Sequence, residues 1–306
     1  MRIAFLGTPE FALPSLAALI ERGDALAVFT QPDRPVGRKA VLTPPPVKAL
    51  AQSNGIPVFQ FEKIRSAEGL EAMTAFSPDL VVTAAFGQLL SAKNLAIPPL
   101  GTINVHGSLL PKYRGASPIQ SAIIAGEADT GVTTMMTDRG MDTGDMLMKA
   151  TTPIDPDETY GQLSDRLAQI GAELLLQTLD ALEAGTLTRT PQKPEEATVC
   201  HMLTKDDGHI DPMRSAKTVH DLVRGTNPWP CAYVMLDGQP LKIFETKRTD
   251  AMLTDAPGTL RVQNGRLYLC CGDGAVEIVS LQACGKKRME ACAFLCGCRL
   301  DGKTVC

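Results

Sequence analysis

The sequence predicts an α/β protein in two parts, a doubly wound, mostly parallel sheet over residues 1–188 and a smaller all-β barrel over residues 206–306. Three observations predict it. Apolar strand-like runs alternate with helical patterns through the first half. A polar stretch at 189–205, marked by Pro191, Pro194 and Glu195-Glu196, interrupts that alternation and reads as a linker. Short β-like runs separated by tight-turn dipeptides then fill the rest. A chain of 306 residues suits two such domains, at roughly 100–200 residues each.

The elements follow in order. Residues 2–6 form an apolar strand that ends at Gly7, and 11–22 carry apolar residues at helical spacing. Residues 25–30 are a second strand, 47–54 a helix stopped by Gly55, 57–59 a strand and 70–76 a helix. The continuous apolar run 80–85 suits a sheet covered on both faces. Residues 102–105 are a strand, 118–125 a helix, 132–136 a strand and 160–184 a long amphipathic helix. This βαβ alternation implies a Rossmann-like sheet, with ligands beyond the carboxyl ends of its strands. After the linker, 216–224 reads as a helix, and 232–236, 241–246, 259–263, 266–271 and 275–280 read as strands. Asp237-Gly238 and Asn264-Gly265 are hairpin turns between them, and an OB-like barrel is the natural closure.

Composition narrows the class. No run of about 18 or more apolar residues is present, so no membrane span is expected. The N-terminus reads as a strand and not as a signal peptide, which predicts a cytoplasmic protein. The nine cysteines read as reduced thiols, because Cys292, Cys296 and Cys298 lack the paired spacing or added histidines of a zinc site. Residues 1–200 hold 16 Lys and Arg against 22 Asp and Glu, whereas 201–306 hold 14 against 12. The second half is therefore the better surface for a polyanion.

Gly7-Thr8-Pro9-Glu10 stands where dinucleotide-binding folds place a glycine-rich loop. The remaining glycines are missing and Glu10 would oppose a pyrophosphate, so this turn reads as structural and nicotinamide binding is not expected. Asn104-Val105-His106 is more informative. Period-two alternation sets Asn104 and His106 on one face at a strand's end, a carboxamide able to stabilise an oxyanion beside an imidazole able to move a proton. A carboxylate from the loop holding Asp138, Asp142 and Asp145 could orient that imidazole and favour its charged form. Spacing alone leaves open whether these acids are catalytic, metal-binding or simply solvated.

Asn104-Val105-His106, Ser108-Leu109-Leu110-Pro111 and Asp142-Thr143-Gly144-Asp145 together resemble the folate-dependent formyltransferases. The resemblance implies catalysis by Asn104, His106 and Asp142. It also implies a folate site at Phe86, Gly87, Ser108, Leu109, Leu110, Pro111 and Asp138, with 10-formyltetrahydrofolate as co-substrate and no metal. Two further stretches, the loop from Gln31 to Arg38 and the run Asn227-Pro228-Trp229-Pro230, are similar to the branch of the family that acts on methionyl-tRNA. That similarity implies initiator methionyl-tRNA as partner, contacted by Arg34, Arg38, Lys39, Lys286, Lys287 and Arg288, in a monomer. The loop after Arg38-Lys39 continues Ala40-Val41-Leu42, less basic than the branch's pattern, and Cys231 stands where that pattern has glycine. Trp229, between two prolines, reads as a packing plug. Two other classes share parts of this pattern: a formyl hydrolase or formyltransferase with a small acceptor, and a non-catalytic RNA-binding module, which the intact trio disfavours.

Overall fold

The structure is a computed structural model that describes residues 1–37, 39–251 and 253–306. Arg38, one of the expected RNA-facing cations, lies outside the described residues. The chain forms two compact units, and neither is a single stretch of sequence. The first comprises Met1–Gly115, Thr130–Thr152 and Ser164–Val199; the second comprises Ala116–Asp129, Pro153–Leu163 and Cys200–Cys306.

In chain order the elements are β1 (Arg2–Gly7), α1 (Leu13–Arg22), β2 (Ala25–Thr30), β3 (Arg34–Val36), β4 (Val41–Thr43), α2 (Pro46–Ser53), β5 (Val58–Gln60), α3 (Ala67–Phe76), β6 (Leu80–Ala84), α4 (Ala92–Leu95), β7 (Thr102–His106), β8 (Arg114–Gly115), α5 (Pro118–Ile124), β9 (Asp129–Met136), β10 (Met146–Pro153) and α6 (Tyr160–Glu183). Seven of the strands form one sheet in the order β10-β9-β7-β6-β1-β2-β5. β1 and β6 are buried along almost their whole length, as strands covered on both faces must be. β5, β2, β1, β6 and β7 pair in parallel, and β9 runs antiparallel to β7. The expected strand at 132–136 is therefore the start of an antiparallel edge, and β10 extends it. β10 escapes the sequence pattern because its burial alternates irregularly and Lys149 and Thr151 face outward, as an edge strand allows.

Local signals account for the helices. α1 carries Pro14 in its first turn, buries Leu16 and Leu19 one turn apart, and ends at Gly23 in the left-handed region (φ 80°). α3 starts three residues before the sequence predicts, because Ser66 caps it by accepting from the Gly69 N–H at 3.2 Å. α6 reaches the sheet through Gly171, where an added Cβ would lie 2.9 Å from Val105 Cγ1.

The chain continues with β11 (Val199–Cys200), α7 (Ala216–Gly225), β12 (Ala232–Leu236), β13 (Gln239–Arg248), β14 (Leu260–Gln263), β15 (Arg266–Cys271), β16 (Gly274–Gln282), β17 (Met289–Glu290) and α8 (Ala291–Leu295). The second unit's sheet runs β12-β13-β16-β15-β14, with β17 paired to β16. Both expected turns take the left-handed pair of angles that hairpins favour: φ 50° and 75° at Asp237-Gly238, and 53° and 74° at Asn264-Gly265. Val234, Ile243, Leu267, Leu269, Val276, Ile278 and Leu281 fill the core. The sheet is closed by its last residues. Met235 and Cys306 exchange backbone hydrogen bonds at one edge, and Leu260 N–H donates to the Lys303 carbonyl at 2.8 Å at the other. The expected plug Trp229 is instead 48% exposed.

Among the described residues no helix is long and apolar enough to cross a membrane, and no cluster of three metal-ligating side chains forms. No disulfide forms among the nine cysteines; Cys200, Cys231, Cys270 and Cys271 are buried, whereas Cys284, Cys292, Cys296, Cys298 and Cys306 are exposed. Burial pushes the Cys231 thiol up to about 11 and the Cys271 thiol to about 12, so neither forms the reactive thiolate near neutral pH. Brief alkylation of the native protein, read by peptide mass mapping, is expected to label the five exposed thiols and spare the four buried ones; early labelling of Cys231 or Cys271 would contradict this packing.

Candidate active site

β1 is where the sheet changes its direction of growth, with β2 and β5 on one side and β6 and β7 on the other. Such a switch opens a crevice beyond the strand ends. The turn after β1 lines up with it structurally. A Cβ on Gly7 would lie 2.8 Å from Ala12 Cβ and 3.1 Å from the Ala84 carbonyl oxygen, so this glycine serves close packing. Thr8 Oγ1 donates to the Phe86 carbonyl at 3.0 Å. Gln31 Nε2 donates to the carbonyls of Phe86 and Gly87 at 3.3 and 3.2 Å, which fixes the segment after β6.

Asn104 and His106 stand at the end of β7. Asn104 lies opposite Thr83 of β6, and the Thr83 hydroxyl donates to Asn104 Oδ1 at 2.8 Å. The carbonyl end of the amide is thereby engaged and Nδ2 is left as its donor. His106 is buried, with Nε2 2.9 Å from the Tyr113 carbonyl oxygen. A carbonyl only accepts, so Nε2 carries a proton. Nδ1 faces Asp142 Oδ2 at 3.7 Å, beyond hydrogen-bond length but within ion-pair reach.

Of the three loop acids the structure brings only Asp142 to the imidazole. Asp142 has φ 53°, a conformation that aspartate tolerates better than most residues but at a cost. Its Oδ2 accepts from the Gly115 N–H at 2.8 Å. Asp138, expected at the folate site, accepts from the Gly140 N–H at 2.9 Å and the Thr143 hydroxyl at 2.7 Å, and so braces the loop. A Cβ on Gly144 would lie 1.8 Å from the Met136 carbonyl oxygen, so the loop can follow this path only with glycine there.

The 108–111 stretch is equally fixed. Ser108 Oγ donates to the Lys112 carbonyl at 2.7 Å, and Thr133 Oγ1 donates to the Ser108 carbonyl while accepting from Leu110 N–H at 3.1 Å. Lys149 Nζ donates to the Leu110 carbonyl at 2.5 Å, and the Leu110-Pro111 bond is cis. Leu109 is half-buried and Leu110 fully buried.

The expected RNA-facing cations fall in both units. In the first, Arg34 pairs with Glu62 at 2.6 Å and Lys39 is exposed, beside the exposed hairpin residues Val36, Val41 and Leu42. In the second, Lys286 and Lys287 are exposed, whereas Arg288 lies 4.7 Å above the Phe244 ring and donates to Ser280 Oγ at 2.8 Å. Sequence reasoning missed Thr83, the Tyr113 carbonyl, the Gly115 amide and Gln192, which donates to the Asp142 carbonyl at 2.8 Å. Only Thr83 left a signal, as the one polar residue in an apolar strand.

Residues 1–179 match the family described as formyl transferase, and residues 202–299 match the formyl transferase C-terminal domain. The methionyl-tRNA formyltransferase of Pelobacter propionicus is 49% identical over 305 residues, covering 99% of this chain and 95% of that one. Among solved structures, the N-formyltransferase from Helicobacter canadensis in complex with folinic acid and dTDP-3-aminofucose superposes with a TM-score of 0.68 over 92% of this chain and 98% of its own, at 17% identity. HypX from Aquifex aeolicus, in complex with tetrahydrofolic acid, gives 0.67 over 96% of this chain at 18% identity, and this chain spans 47% of its length. At such identities the likeness speaks for the fold.

Proposed function

The chain belongs to the formyl transferase family, and from that premise we propose that it moves the formyl group of 10-formyltetrahydrofolate to the α-amino group of methionine on initiator tRNA. The trio Asn104, His106 and Asp142 carries the chemical half of this reading. Near-full-length similarity to a methionyl-tRNA formyltransferase supports the acceptor.

The free amine attacks the formyl carbon, and the carbonyl electrons move onto oxygen. Asn104 Nδ2, the donor end of an amide whose Oδ1 is held by Thr83, donates to that oxygen with help from His106. Collapse restores the carbonyl, breaks the bond to the folate N10, and delivers the amine's proton to that nitrogen. The His106 and Asp142 pair, 3.7 Å apart, relays the proton, directly or through one water. Phe86, Gly87 and the 108–111 stretch line the folate, and Asp138 acts there by holding the loop's shape. Lys39, Lys286 and Lys287 meet phosphates; Arg34, Arg38 and Arg288 join them. We place folate chemistry in residues 1–188, and RNA contact in 206–306 together with the loop that holds Arg34, Arg38 and Lys39, in a cytoplasmic monomer.

The deciding assay offers 10-formyltetrahydrofolate with methionyl initiator tRNA, a small amine, or water alone. Formylated aminoacyl-tRNA is the expected product; turnover to formate or to a formylated small amine at a comparable rate would overturn the reading. Lys39→Glu is expected to raise the tRNA KM and to lower the salt slope by about one phosphate contact. An unchanged KM would remove this loop from the RNA site.

A further inference from the structure

Residues 190–198 lie in the stretch that composition marks as a linker, yet they are bonded to both loops of the trio. Met146 and Thr190 exchange backbone hydrogen bonds, each 2.9 Å. Gln192 Nε2 donates to the carbonyls of Asp142 and Gly144, both at 2.8 Å, and its Oε1 accepts from Arg114 Nε at 2.9 Å. Farther along, Thr198 Oγ1 accepts from the Tyr113 N–H and the Thr198 carbonyl accepts from the Arg114 N–H, both at 2.8 Å. The Tyr113 carbonyl and the Asp142 carboxylate each face one of the His106 ring nitrogens. Gln192 is half-buried between exposed neighbours on both sides.

We infer that residues 190–198 form a strap that sets the geometry of the trio, with Gln192 as a positioning residue for Asp142. The inference rests on the reading of Asp142 as part of the reacting machinery. Asp142 sits in the left-handed region, and such a residue stays there only while its surroundings hold it. Gln192 does so by donating two hydrogen bonds from one amide to the carbonyls on either side of Thr143. Thr198 holds the other side of the ring by fixing Tyr113. Neither side chain need touch a substrate. A shift of about 1 Å in a reacting group costs on the order of a hundredfold in rate, so holding the loop is a kinetic function.

The test uses the full chain and compares Gln192→Glu, Gln192→Ala, Asp142→Asn and the Gln192→Glu/Asp142→Asn pair. Glu keeps the size of Gln but cannot donate, so both Gln192 variants should lose kcat by about 10- to 100-fold with KM for folate and tRNA within about twofold. In the Asp142→Asn background Gln192→Glu should cost less than about threefold more, because the two act as one unit. Full loss repeated in that background, undiminished kcat in either Gln192 variant, or a change confined to KM would overturn the strap and leave the trio standing. Undiminished kcat in Asp142→Asn would overturn the trio reading and the strap together.

Discussion

Asn104→Ala is expected to lower kcat by about 100- to 1,000-fold, some 2.7–4 kcal/mol of lost transition-state stabilisation. The formyl oxygen becomes anionic only as the amine bonds to carbon, so the Asn104 donor is worth most at that moment and the KM for folate should stay close to its original value. The Thr83 hydroxyl makes the expectation directional. It holds Oδ1 at 2.8 Å, so the amide presents Nδ2. Asn104→Asp keeps the size but sets a negative charge against the developing oxyanion, and should do at least as much harm as alanine. Single-turnover rates at saturating folate check this. A variant whose chemistry runs near its original rate would remove Asn104 from the oxyanion site.

Asp221→Ala should destabilise the second unit by about 3–5 kcal/mol, because it strands a buried guanidinium. The Asp221 and Arg224 side chains are 5% and 7% exposed and meet at 2.8 Å. Lys217 reaches the second Asp221 oxygen at 2.7 Å, and Arg224 also donates to the carbonyls of Asp155 and Glu158 at 3.2 Å. Those two bonds tie residues 153–163 to α7 within one unit. A loss of this size is a large share of the ~5–15 kcal/mol that usually separates folded from unfolded chains. The sole tryptophan, Trp229, lies in the same unit, so its fluorescence in urea reports the change. Replacing both residues, as in Asp221→Leu with Arg224→Met, should recover much of the stability, since an apolar pair leaves no stranded charge. An unshifted urea midpoint in Asp221→Ala would show the ion pair to be dispensable.

What the sequence made legible follows physical lines. Buried parallel strands were readable because both faces demand apolar residues, as in β1 and β6. The hairpins were readable because Asp-Gly and Asn-Gly suit consecutive left-handed residues. β10 was not, since an edge strand with one wet face needs no such pattern. Asn104 and His106 could be paired from strand alternation alone. Choosing Asp142 over Asp138 and Asp145 could not be done by spacing, and came from resemblance. The structure distinguishes them by local bonds: Asp138 is occupied with Gly140 and Thr143, while Asp142 faces the imidazole. Gln192 left no trace at all, because a half-buried amide between prolines has the composition of a connector, and only its partners reveal it. Trp229 misled for a related reason: flanking prolines set the backbone but do not say which side of the turn is dry.

The closure of the second unit's sheet by residues 302–306 bears on how that unit behaves in company. β12 and β14 are the two ends of the strand order, and in an open sheet each would present a free row of donors and acceptors to any neighbouring chain. Pairing of Cys306 with Met235 and of Lys303 with Leu260 takes up part of both rows at once, and Ile210 N–H, which donates to the Tyr233 carbonyl at 2.9 Å, covers more of the β12 edge. A chain cut after Asp301 would lose Val305 from the apolar core and at the same time bare the Met235 and Leu260 backbone at the two edges, so residues 302–306 serve both the core and solubility.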